Sequence, residues 1–182
     1  MALVVDNTPL SPTCNSYASV AVMDTYVTDR VPDPAVKVAW DALTDPLQAM
    51  YLVNATRALD SVCDWIGYRY SRDQKLDWPR YDAWIEGYLL DVVTFPQAVI
   101  DAACEMAIWS MQNAGLVSVS QNASFDSIKV GPIAIDFNEG VGGVSEKYFP
   151  DIIAMILRDY AGFSNPQLPN SQQLKTVKLI RA

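Results

Sequence analysis

Positions Leu47, Tyr51, Asn54, Ala55, Ala58, Leu59, Val62 and Ile66 recur at mostly helical spacing, the signature of one face of an amphipathic helix. Asp45-Pro46-Leu47-Gln48 supplies its start: an Asp N-cap, Pro at the first helical position, and Gln where a capping box places it. Gly67 supplies the stop. A second stripe, Ala98, Val99, Ala102, Met106 and Trp109, predicts a helix over Phe95 to Asn113. Thr94 and Gln97 repeat the capping-box spacing at its start, and Gly115 ends it. A third face, Phe149, Ile152, Ile153, Ile156, Leu157 and Tyr160, is closed by Gly162. Shorter helices are predicted over 18–30, ended by Pro32 and Pro34, and over 35–43. Alternation from Ser127 to Phe137, broken at Gly131-Pro132, predicts a β-hairpin, and Ala2 to Val5 a short strand. The expected class is therefore mainly α.

Tyr68 to Val93 fits no helical stripe. A connection of that length is usually functional or contains a short element, and Asp82 to Gly87 is expected to form one helical turn. Within it stands Leu76-Asp77-Trp78-Pro79-Arg80. Pro79 biases Trp78 toward extended backbone, so the indole and guanidinium are held on a stiff, non-helical loop. The expectation is Trp78 inward and Arg80 outward, with Leu76, Trp78, Pro79 and Arg80 as a candidate subunit contact.

The end of the chain differs in kind. Three of the 13 basic residues (Lys175, Lys178, Arg181) and none of the 21 acidic ones fall in 165–182, leaving a body of 10 − 21 = −11. Leu174, Val177, Leu179 and Ile180 partly alternate with those cations. Leu174, Lys175, Val177, Lys178, Leu179, Ile180 and Arg181 thus suit an extended, partner-binding arm. A frayed terminus is the plainer alternative.

Composition narrows the chemistry. With 182 residues and 51% hydrophobic content the chain can bury the core of one domain. A net charge of −8 argues against a protein that coats nucleic acid, or an anionic membrane, through a basic field. No cation precedes the short apolar run at Met1 to Asp6, so a signal peptide is not expected. No apolar stretch has the length of a membrane span, and an intracellular location is expected. Cys14, Cys63 and Cys104 show no CxxC spacing and read as reduced, partly buried thiols. The absence of histidine removes Ser-His-Asp and Cys-His catalysis and histidine zinc sites. Asp77, Asp82, Glu86 and Asp91 crowd one loop but match no calcium-loop spacing, and read as a solvated acidic surface. Gly140-Val-Gly-Gly lacks the Lys-Ser/Thr ending of a phosphate loop and reads as a connector. No catalytic residue, metal or cofactor is expected; a carboxylate enzyme ranks last among the readings.

Aromatic density sets up the alternative. Trp65, Tyr68, Tyr70, Trp78, Tyr81, Trp84 and Tyr88 are interleaved with Arg69, Arg72, Lys75 and Arg80. Residues 65–88 could stack on single-stranded bases, although seven acidic residues from Asp60 to Asp91 oppose a phosphate backbone. Core packing plus a protein interface accounts for the same residues.

The order of motifs resembles the head–tail connector (adaptor, or head-completion) proteins of tailed bacteriophages. The matching features are Asn15-Ser16-Tyr17, the Ala21-Val-Met-Asp-Thr-Tyr helix, and the helix Leu52-Val-Asn-Ala-Thr-Arg-Ala-Leu-Asp60 running to Gly67. Leu76-Asp-Trp-Pro-Arg80, Glu86-Gly87, the helix from Phe95 to Ala107, the strand Ile128 to Ile135 and a late helix follow. Some relatives in that family carry a label as DnaT-like single-stranded DNA-binding proteins. The resemblance implies a small helical bundle with a β-hairpin and an extended C-terminal arm: an N-terminal extension over 1–14, a helical connector domain over 15–164, and the arm over 165–182. It further implies a homo-oligomeric ring, typically dodecameric, in the neck of a virion assembled in the host bacterial cytoplasm. Its partners would be the portal, tail or tail-terminator proteins, and passing genomic DNA bound without sequence specificity. The alternative is a single-stranded DNA-binding accessory protein using the aromatic and basic loop over 65–88.

Overall fold

Ser19 opens the first helix by accepting the amide of Val22 on its hydroxyl at 3.3 Å, a side-chain cap for a donor that the helix cannot satisfy itself. The computed structural model describes residues 5–113, 127–130, 133–136 and 150–163. Helix α1 is Val20–Arg30, α2 Pro34–Asp41, α3 Asp45–Val62, α4 Gln97–Gln112 and α5 Asp151–Ile156. The short strands are β1 (Cys63–Trp65), β2 (Tyr68–Arg69), β3 (Arg80–Tyr81), β4 (Trp84–Ile85), β5 (Tyr88–Leu89), β6 (Ser127–Val130), β7 (Ile133–Asp136) and β8 (Ala161–Phe163). They pair two by two and antiparallel, as β1–β8, β2–β3, β4–β5 and β6–β7. The described chain is thus mixed: partly helical, with four small strand pairs in place of one hairpin.

Helices α3 and α4 form the main packing contact, with α5 laid against α4. Val99, Ala102, Ala103, Met106 and Ala107 of α4 are buried, as are Leu52, Ala55 and Leu59 of α3. The run of alanines permits close approach of the backbones, and Ile153 and Leu157 complete the core from the α5 side. Helix α1 adds Met23, Tyr26 and Val27. It is tied to α2 by Trp40 Nε1 donating to Asp24 Oδ1 at 2.7 Å, and to α4 by Tyr26 donating to Glu105 at 2.7 Å. All three cysteines are free and buried, and burial pushes the Cys63 and Cys104 thiols up to about 12.

Several expected boundaries move, for identifiable reasons. Helix α3 stops at Val62, because Cys63 to Trp65 peel away as β1 and pair with β8, Cys63 opposite Phe163 and Trp65 opposite Ala161. Neither expected capping box forms. Gln48 Nε2 instead donates to the carbonyl of Trp40 at 3.2 Å, while Gln97 reaches Asp101 and Thr94 bonds Asp91. The turn expected over Asp82 to Gly87 is a hairpin, Trp84 facing Leu89 and Ile85 facing Tyr88. The hairpin expected near Gly131 is present as β6–β7, with Val130 opposite Ile133. The last helix is shorter than its stripe: α5 ends at Ile156, and Ile152 is exposed.

Residues 5–14 do not hang off this body. The Asp6 carboxylate accepts from the Thr8 amide and from the hydroxyls of Ser11 and Thr13, and these bonds hold it well below the usual carboxylate range. Asp6 and Asn15 exchange two further hydrogen bonds of 2.8 Å, and Cys14 lies in the core. The strand expected at Ala2, the Gly140–Gly143 loop and the arm at 165–182, with Leu174, Lys175, Val177, Lys178, Leu179, Ile180 and Arg181, lie outside the described residues.

Candidate functional site

The segment from Trp65 to Leu89 sorts its aromatic residues into two populations. Trp65 and Trp78 point into the molecule, while Tyr68, Tyr70, Tyr81, Trp84 and Tyr88 are exposed. The sequence places all seven in one stretch; short-range backbone pairing decides which side each takes.

The inner population is an aromatic cluster around Trp78, which is 1% exposed. Its ring meets Trp65 edge-on at 5.9 Å and Tyr160 at 6.3 Å, and Tyr17 contacts Trp65 at 6.4 Å and Phe95 at 5.1 Å. Such edge-to-face pairs add about 0.5–1.5 kcal/mol each beyond burial. The cluster draws on α1's entry, β1, the 76–80 loop, the start of α4 and the end of the described chain. At its base the Tyr17 hydroxyl donates to Asp60 Oδ1 and accepts the Trp78 amide at 3.3 Å. Burial raises the Asp60 carboxyl to about 6, against the bond from Tyr17 that lowers it. The same burial, with Asp60 beside it, raises the Tyr17 phenol well above its ordinary range.

Arg80 is not outward, as the sequence suggested. Its Nε donates to the carbonyl of Ile66 at 2.7 Å, and its Nη2 donates to Gly67 at 2.8 Å and Trp65 at 3.3 Å. Nη1 reaches Asp77 O at 3.3 Å. The guanidinium therefore staples the turn between β1 and β2, and burial lowers its pKa from the ordinary value. Leu76 and Pro79 are buried beside it, and the Trp78–Pro79 bond is cis. All four residues of the signature loop are engaged within the subunit.

The outer population sits on two hairpins. On β2–β3, Tyr68 stands opposite Tyr81 with ring centroids 5.4 Å apart and planes tilted by 32°. The loop joining these strands is folded around Gln74, which is only 8% exposed. Gln74 donates to the carbonyls of Leu76 and Pro79 at 2.8 and 3.0 Å and accepts the Ser71 amide at 2.9 Å. Arg69 closes the same loop by bonding the carbonyls of Gln74 and Leu76 and pairing with Asp77. Gln74 carries no pattern signal in the sequence, and its organising role was missed there. On β4–β5, Trp84 is 56% and Tyr88 76% exposed, and the Trp84 indole donates to Asp82 at 2.8 Å.

Other candidate chemistry does not assemble. Among the described residues no three of His, Cys, Asp and Glu come together to hold a metal ion. Asp82, Glu86 and Asp91 are exposed, and Asp77 is turned to Arg69. A shallow groove between α1 and α4, lined by Thr25, Tyr26, Arg30 and Asp101, is crossed by the Arg30–Asp101 ion pair. No described helix is long and apolar enough to cross a membrane.

A family model described as "Putative DnaT-like ssDNA binding protein" matches residues 1–182. No curated protein and no solved structure matches the chain. The family match corrects the connector resemblance: the connector ring, its portal and tail partners and its place in a virion are without support. The physical reason lies in the motif that carried that resemblance, since Trp78 and Arg80 are engaged in internal packing and report this subunit's own fold. By a match along its whole length, the chain belongs to the DnaT-like single-stranded-DNA-binding family.

Proposed function

We propose that this protein is an accessory protein that binds single-stranded DNA, as a binding protein and not an enzyme, through the exposed aromatic surface of residues 68–88. The observation that carries the reading is the outward placement of Tyr68, Tyr70, Tyr81, Trp84 and Tyr88 on two adjoining hairpins. Each ring offers a π face that an unpaired base can cover, at about 1–3 kcal/mol per stacked base. A duplex keeps its bases stacked on each other and presents no such face. Family membership supports the same ligand.

Charge sets the character of the binding. At −8 the chain repels a polyanion overall, so stacking, and not phosphate neutralisation, must supply most of the affinity. Duplex DNA, with its denser charge and covered bases, is disfavoured twice over. The test is anisotropy titration of a labelled oligo(dT) against the same strand in duplex with oligo(dA). Preferential binding of the single strand is expected; equal affinity for the duplex, or no complex with the single strand, refutes the proposal.

A further inference from the structure

The two hairpins that carry the exposed aromatics are not electrostatically alike. Around Trp84 and Tyr88 stand Asp82 and Glu86, both exposed, with no cation on the hairpin, a local charge of −2. Arg158, which Glu86 influences, is paired with Asp159. The loop leaving β2 carries Arg72 and Lys75, both exposed and without an ion-pair partner among the described residues, against one exposed acid, Asp73. Its local charge is +1. The remaining cations of this segment, Arg69 and Arg80, are held by backbone carbonyls.

From this asymmetry we infer that the single strand lies chiefly along β2–β3, with bases stacked on Tyr68, Tyr81 and Tyr70 and phosphates against Arg72 and Lys75. The inference rests on the proposed function and narrows it to one footprint. Three features of the geometry favour it. Tyr68 and Tyr81 already form a pair that a base can extend, ring on ring. Tyr70 is tied to the same unit by its amide donating to Pro79 O at 3.2 Å. The loop that presents Arg72 and Lys75 is pre-folded by Gln74 and Ser71, whose hydroxyl accepts the Asp73 amide. Little ordering cost therefore falls on binding. A strand placed on the other hairpin would set its phosphates against Asp82 and Glu86.

The consequence is quantitative. Two phosphate contacts to a single strand give a slope of about −1.4 in log K against log salt, from about 0.7 per contact. The experiment titrates the full-length protein with labelled oligo(dT) over a salt series. Arg72→Gln and Lys75→Gln should each make the slope shallower by about 0.7. Tyr68→Ala and Tyr81→Ala should weaken binding roughly 5- to 150-fold, the range of one lost base stack, with the slope unchanged. Trp84→Ala and Tyr88→Ala should each weaken binding by less than either of these, with the slope again unchanged. All six residues are exposed, and circular dichroism checks that each variant is folded. If binding to oligo(dT) persists but is lost in Trp84→Ala or Tyr88→Ala and not in the β2–β3 variants, the footprint is overturned while the function stands. If slopes do not move in Arg72→Gln and Lys75→Gln, the phosphate assignment is overturned. If no variant, nor the native chain, binds oligo(dT), the functional reading itself has failed.

Discussion

The hydroxyl of Tyr17 donates to the carboxylate of Asp60 across 43 residues of chain, in a site where Tyr17 is fully buried. The same oxygen accepts the Trp78 amide, so one phenol joins the entry of α1, the body of α3 and the loop beneath the proposed binding surface. Removing it leaves an amide and a carboxylate oxygen buried with fewer partners. Tyr17→Phe should cost about 1–3 kcal/mol in urea unfolding. A loss below about half a kcal/mol would mean that water or a neighbour takes over both bonds.

Asp60 predicts a pH signature. Its folded pKa, about 6, lies above the ordinary 3.8 because burial disfavours the charge, and Asp77 nearby adds to that. For a raised carboxyl the contribution to stability is full below about pH 4 and is lost as pH rises through 6. The difference of about two units corresponds to an order of 3 kcal/mol. Asp6 works in the opposite sense, but its depressed pKa confines it to lower pH. Stability measured by denaturant should thus fall from pH 4 to pH 6, and Asp60→Asn, which keeps an acceptor for Tyr17, should flatten that fall. An unchanged profile in the variant would place the titration elsewhere.

Glycines 67 and 87 form a controlled pair, since both have positive φ, +67° and +84°. A Cβ at Gly67 would stand 2.6 Å from Tyr81 O and 2.9 Å from Ala83 N, both backbone atoms, whereas at Gly87 nothing lies within 4 Å. Gly87→Ala should cost about 1–2 kcal/mol for the left-handed backbone alone. Gly67→Ala should cost clearly more and disturb the β2–β3 pair, visible in amide exchange of Tyr68 and Tyr81. Equal costs would show that the backbone at 81–83 can retreat.

Arg80 separates a structural cation from a phosphate contact. Arg80→Lys keeps the charge but cannot reproduce the fork that meets Ile66, Gly67 and Trp65 carbonyls. It should lower stability by about 1–3 kcal/mol and leave the salt slope of oligo(dT) binding unchanged. A shallower slope with native stability would make Arg80 a phosphate ligand instead.

Much of the helical skeleton was legible in one dimension. The stripes of α3 and α4 and the β6–β7 alternation depend on residues close in sequence, where helix period and strand alternation operate. So did the density of Trp, Tyr and Arg between 65 and 88. What the chain order did not contain was the pairing of β1 with β8, which shortens α3, because that ladder joins segments almost a hundred residues apart. Nor did it contain the sorting of seven aromatics into a buried cluster and an outer surface. That sorting follows from two-residue strand pairs and from Gln74 and Arg80 donating to backbone carbonyls, interactions set by three-dimensional proximity. Sequence by itself determined that an acidic, histidine-free chain carries one aromatic, cation-bearing loop. Tertiary structure alone decided that Trp78 and Arg80 hold the loop in place while Tyr68, Tyr70 and Tyr81 face outward, because ring packing and guanidinium–carbonyl bonds join segments that only the folded chain brings together.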